Sequence, residues 1–104
     1  MLNRDNCVDI VTITNFKQKE YKKRIIVITA RVHPGETPSS FVCEGMMKYL
    51  LGDTPEAVSL RDSFVFKFIP MLNPDGVING SYRCSLSGYD LNRVWHIADK
   101  VSHP

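Results

Sequence analysis

Residues 8–14 alternate β-branched and polar side chains, the period-two pattern of a half-buried strand at the outside of a sheet. Residues 24–30 differ. The Ile25-Ile26-Val27-Ile28 run does not alternate, and a β-branched run of this kind predicts a central strand covered on both faces. Pro34 and Gly35 end that strand near His33, and Thr37-Pro38 then supplies a helix cap with proline at the first helical position. Phe41, Val42, Gly45, Met46, Tyr49 and Leu50 recur on one helical face, and the helix should close near Gly52. Thr54-Pro55 opens a short helix over 55–62, and residues 64–71 form an aromatic-rich buried strand. A crossover helix between two buried strands makes a βαβ unit, so the expected class is α/β, with a mixed, partly parallel sheet and helices packed on it. Beyond Met71 the periodicity is lost. Asn73-Pro74-Asp75-Gly76 and Asn79-Gly80 are turn signals, and a loop region runs to about Gly88.

Composition narrows the class without changing it. The chain has 104 residues, 43% apolar and 23% charged, the balance of an ordinary globular domain, with no repeat or linker to divide it. The longest apolar run falls far short of the roughly 20 residues that span a bilayer, and the first residues lead into no apolar signal core. Cys7, Cys43 and Cys84 are odd in number and widely spaced, which suggests neither a disulfide framework nor a cysteine metal site and fits a reducing cytosol. A net charge of +2 is too small to argue for nucleic acid, and no such partner is expected. The basic cluster Lys17, Lys19, Lys22, Lys23 and Arg24 is read as a solvated hairpin loop, with attraction of an acidic substrate or nuclear import as the functional alternatives.

The chemistry concentrates in two places. His33-Pro34-Gly35-Glu36 sets an imidazole and a carboxylate three residues apart, just after a buried strand and at a helix start, where α/β folds keep their ligands. A catalytic zinc site of the two-histidine, one-glutamate kind could take both as ligands. A surface histidine followed by a glutamate favoured by the helix dipole has the same spacing, so the motif alone does not decide. The second place is Asn73-Pro74-Asp75-Gly76-Val77, then Tyr82-Arg83-Cys84-Ser85, then Gly88-Tyr89-Asp90-Leu91-Asn92-Arg93-Val94-Trp95.

Together these motifs resemble the zinc metallocarboxypeptidases. The run from Ala30 through His33-Pro34-Gly35-Glu36 to Ser40 resembles the cytosolic, tubulin-deglutamylating subfamily, in particular its smaller members. The resemblance covers roughly residues 9–95 and implies part of a three-layer αβα metallocarboxypeptidase fold. It implies that His33 and Glu36 bind one Zn2+, that Arg83 polarises the scissile carbonyl, and that Asn92 and Arg93 hold the substrate's terminal carboxylate. An arginine fork suits such a carboxylate, which it meets with two parallel hydrogen bonds. The implied partners are protein or peptide carboxy-termini, in particular glutamate tails on polyglutamylated tubulin. Asn73-Pro74-Asp75-Gly76 is expected to be a rigid turn that holds the loop aiming Arg83. Asp90 should orient the loop or the groups behind the ligands, Trp95 should fill a core, and Cys84 should be a small buried residue.

The resemblance also calls for a third zinc ligand, a histidine well downstream of Arg93, and for a glutamate beyond it as general base. Glu56 is the last glutamate, and His96 and His103 follow Arg93 too closely; Asp99 is the one acidic residue after the carboxylate-binding pair. Residues 1–104 are therefore expected to be an incomplete, amino-terminal part of the catalytic domain, with apolar strands left uncovered and weak stability in isolation. Two other functions remain open: a non-catalytic fragment that retains partial zinc or carboxylate binding, and a zinc amidohydrolase acting on N-acyl amino acids.

Overall fold

A computed structural model describes residues 6–19 and 22–97. Three strands, β1 (Val11–Ile13), β2 (Arg24–Thr29) and β3 (Phe64–Ile69), form one sheet in the order β1-β3-β2. β2 runs parallel to β3, with Ile26 opposite Phe66 and Ile28 opposite Phe68, while β1 is antiparallel to β3, with Ile13 opposite Phe66. Between the parallel pair lie α1 (Pro38–Leu51) and α2 (Pro55–Ser63), which makes the expected βαβ unit and mixed sheet.

The core lies between these helices and one face of the sheet. Ile13, Ala30, Phe66 and Phe68 meet Cys43 and Leu50 of α1, with Ile26, Ile28, Met47, Leu60 and Phe64 packed around them. Because alternate residues of a strand share a face, Phe64, Phe66 and Phe68 line up toward the helices, with neighbouring ring centroids 5.9 and 6.5 Å apart. Phe68 is fully buried and Val65, on the opposite face, is 2% exposed, so β3 is the strand covered on both sides.

Several expectations change here. Among the described residues β2 lies at an edge of the three-stranded sheet, with β1 joining β3 from the other side, and its outer-face Ile25 and Val27 are 65% and 60% exposed, the uncovered apolar surface expected of an incomplete domain. The run of four apolar residues therefore marked one buried and one open face. Nor is the basic segment a hairpin loop, since β1 and β2 pair with β3 rather than with each other. Lys23 is not a solvated charge: its ammonium donates to Thr14 Oγ1, Asn15 O and Arg61 O, tying the ends of β1 and α2. On α1 the buried positions are Cys43 and Leu50, while Phe41, Val42, Met46 and Tyr49 are exposed. That helix is apolar nearly all round, so periodicity did not single out the packed face. Thr54 caps α2 through Ala57 N at 3.2 Å, but Thr37 makes no side-chain cap to α1. The turn read at Asn73-Pro74-Asp75-Gly76 continues into one helical turn, α3 (Pro74–Ile78), capped by Asn73 Oδ1 on Gly76 N at 2.9 Å.

Phe68→Ala should abolish cooperative unfolding of this chain, because truncating a buried phenylalanine costs about 3–5 kcal/mol, a large share of what a small domain holds. Ile25→Ala should move the urea midpoint little. Equal effects of the two substitutions would contradict this assignment of the faces.

Candidate metal and substrate site

The segment after β2 turns sharply at Arg31, whose φ of 56° lies in the left-handed region. A residue with a Cβ pays on the order of 1 kcal/mol for that conformation, so the surrounding contacts must hold it. They come from both neighbours in space: Asn73 N donates to Arg31 O at 3.2 Å, and Arg31 N donates to Ser39 Oγ at 3.2 Å. The chain is thereby delivered to His33 at the junction of β2, α1 and α3.

His33 is buried, with its side chain 8% exposed, and each ring nitrogen faces a carboxylate. Nδ1 lies 2.9 Å from Glu36 Oε1, and Nε2 lies 3.0 Å from Asp90 Oδ1. A neutral imidazole has one N–H and can serve one carboxylate. The second contact brings a lone pair against an anion unless a second proton or a cation stands between them. Asp90 also accepts the Asn92 amide at 2.9 Å and the Arg83 Nε at 2.7 Å. A carboxylate behind one imidazole nitrogen, fixing the tautomer so that the other presents its lone pair, is how metal-binding histidines are oriented. Two zinc ligands at tetrahedral angles stand about 3.3 Å apart. The His33–Glu36 pair is close to that, and the half-exposed Glu36 side chain has room to adjust. The donor set therefore fits part of a zinc site.

Burial alone would push the Asp90 carboxyl up. Hydrogen bonds from His33, Arg83 and the Asn92 amide, with the charge of Arg83, outweigh it and hold the carboxyl at about 2 against an ordinary 3.8.

The three motifs are interlocked through two glycines. A Cβ on Gly76 would stand 2.4 Å from Pro34 Cγ, and a Cβ on Gly35 would stand 2.2 Å from Tyr82 Cδ2. Gly35 N also donates to Tyr82 O at 2.8 Å. Pro34-Gly35 thus sits between α3 and the segment carrying Arg83, and a side chain at Gly76 would force the Pro34 ring to shift, one at Gly35 the Tyr82 ring.

His33 and Glu36 are directly together. Arg83 and Asn92 join them through Asp90, while Arg93 turns its guanidinium to the Asn92 carbonyl at 3.2 Å. Asn92 and Arg93 sit on a short 3-10 helix, Leu91–Arg93, begun by Asp90, and both are exposed. Trp95 fills no core: it is 63% exposed and donates to Asn92 Oδ1 at 2.8 Å. Cys84 is half-buried, and His96 is exposed. His103 and Asp99 lie outside the described residues. Among the described residues no three His, Cys, Asp or Glu side chains are grouped to hold a metal. Sequence reasoning gave Asp90 an orienting role, toward its loop or the groups behind the expected ligands, but missed Arg31, for which the left-handed backbone leaves no signal in an arginine.

The zinc carboxypeptidase family model matches residues 4–103. The chain belongs to the zinc carboxypeptidase family. It is 53% identical over 100 residues to cytosolic carboxypeptidase 3 of Mus musculus, covering 95% of this chain and 10% of that protein. It is 52% identical over 99 residues to cytosolic carboxypeptidase 6 of Mus musculus, covering 93% and 18%. A metallo-carboxypeptidase from Burkholderia cenocepacia superimposes with a TM-score of 0.78 at 35% identity, over 86% of this chain and 24% of that one. One from Pseudomonas aeruginosa shares the fold, with a TM-score of 0.81 at 23% identity over 93% and 25%. The chain thus spans between a tenth and a quarter of the length of these relatives. Zinc is the cofactor of the family, and no helix among the described residues is long and apolar enough to cross a membrane.

Two outcomes test the geometry. Asp90 should titrate near pH 2 by carboxyl NMR; its contribution to stability is then full above about 3.8 and lost as pH falls through about 2. A midpoint at 3.8 would show that the His33 and Arg83 contacts do not form. Gly76→Ala should destabilise the fold by about 1–3 kcal/mol through the Pro34 ring, measured by urea denaturation, and a neutral effect would contradict the interlock.

Proposed function

We propose that the protein is a zinc-dependent carboxypeptidase that hydrolyses the last peptide bond of protein or peptide chains, and that these residues form part of its catalytic domain. The observation that carries this reading is the convergence of His33 Nδ1 and Glu36 Oε1, backed at Nε2 by an Asp90 that Arg83 also grips. His33 and Glu36 are the proposed zinc ligands. The chemistry a bound zinc supplies is Lewis acidity, which polarises a carbonyl and lowers the pKa of water to about 7.

The remaining roles belong to side chains of this chain. Asp90 holds the proton of His33 Nε2 and so keeps Nδ1 free to coordinate. Its second oxygen accepts from Arg83 Nε, whose positive charge is then placed to stabilise negative charge developing on the scissile carbonyl oxygen. Arg93 and Asn92 bind the terminal carboxylate, with charge-assisted bonds of about 1.5–3 kcal/mol each. Such bonds separate a chain end from an internal peptide bond. The narrower substrate, glutamate at the ends of polyglutamylated proteins such as tubulin, and a cytosolic location rest on likeness to relatives named cytosolic carboxypeptidases.

In a protein of its relatives' length, His33→Ala should remove the stoichiometric zinc found by elemental analysis, and unchanged metal would refute the ligand assignment. Arg93→Ala should raise KM by about 10- to 100-fold with little change in kcat, whereas Arg83→Ala should lower kcat by about 10²–10³-fold. Faster release of glutamate from polyglutamylated than from unmodified tubulin tails supports the narrower substrate, and equal or slower release removes it.

A further inference from the structure

Arg31 is the one non-glycine residue with positive φ among the described residues. Glycine would take this conformation without strain, so the presence of a long side chain directs attention to what the guanidinium does. Nε and Nη2 both donate to the Pro34 carbonyl, at 3.0 and 2.7 Å, and Nη1 donates to Ser40 Oγ at 3.0 Å. Pro34 lies between His33 and Glu36 in the chain. The fork therefore grips the peptide unit that sets how the two side chains face each other, and anchors it to the first turn of α1. The main chain of the same residue is fixed by Ser39 Oγ on one side and by Asn73 N on the other. One residue thus ties the loop to both helices that flank it, while its own side chain touches neither His33 nor Glu36 in any of these bonds.

We propose that Arg31 is a positioning residue for the metal, its guanidinium clamping the Pro34 carbonyl so that His33 Nδ1 and Glu36 converge on one ion; this rests on the zinc reading given above. Lysine supplies the charge without the planar fork that serves Pro34 O and Ser40 Oγ together. Glycine supplies the backbone conformation without the clamp, which separates the two contributions of Arg31.

The test uses a protein of the relatives' full length, in wild-type form and as R31G, R31K and H33A, with two readouts: the zinc dissociation constant by competition with a chromophoric chelator, and the urea midpoint of the metal-free protein. R31G should raise the zinc dissociation constant about 10- to 100-fold, as loss of a group that orients a ligand does, with the metal-free midpoint held. R31K should fall between R31G and wild type, and it carries the test by both readouts if R31G does not fold. Wild-type zinc affinity in R31G and R31K overturns the proposal, as does a fall in metal-free stability large enough to account for the lost affinity. H33A distinguishes the two levels. If H33A keeps its zinc, the zinc reading itself fails; if H33A loses zinc while the Arg31 variants bind normally, only the role of Arg31 fails.

Discussion

A buried imidazole with a carboxylate at each nitrogen is an electrostatic demand that the rest of this structure is arranged to meet. Neutral His33 can donate to Asp90 or to Glu36 but not to both. In the proposed arrangement that proton goes to Asp90: a carboxylate shared with a guanidinium and a backbone amide stays ionised and can accept from Nε2. The opposite nitrogen is then left facing an anion at 2.9 Å, an arrangement that a divalent cation makes favourable. The polar network around His33 is coherent with a cation, or a second proton, between Nδ1 and Glu36.

Such a device works only if its loop cannot relax, and the scaffold supplies the restraint through close packing. β2 and β3 run parallel, so the segments leaving their carboxyl ends emerge side by side. Asn73 begins α3 there, and its amide binds Arg31 O. Gly76 lets the Pro34 ring against α3, and Gly35 lets Tyr82 close from the other side. The four motifs read from the sequence are thus parts of one contact: the first is held by the second and third, and the fourth contributes Asp90. Loss of a methyl group's worth of space at either glycine would be transmitted to the ligands.

The fold was legible where local chemistry decides. The Thr54 cap, the prolines at the start of α1 and α2 and the aromatic-rich third strand all stand where pattern placed them. Neighbour relations were less legible. Four consecutive apolar residues in β2 look the same whether a strand is central or at an edge, and α1 is apolar on more faces than it buries. In the site, the motifs named the residues that meet, His33, Glu36, Arg83 and Asn92. What they did not name was the geometry that joins them: the sharing of Asp90 between His33 and Arg83, the fork of Arg31 on Pro34, and the exposed Trp95 bound to Asn92 Oδ1. These depend on contacts between segments far apart in sequence, and a left-handed arginine carries no mark in its letter.

The central claim is that His33 carries its proton on Nε2, held by Asp90, and offers Nδ1 to zinc. Long-range proton–nitrogen correlation NMR of the zinc-loaded protein with labelled histidine reads this directly. The account predicts an Nε2–H protected from exchange and an Nδ1 without a proton, shifted as a metal-bound nitrogen. A proton on Nδ1, or a His33 spectrum unaltered by removal of zinc, would contradict it.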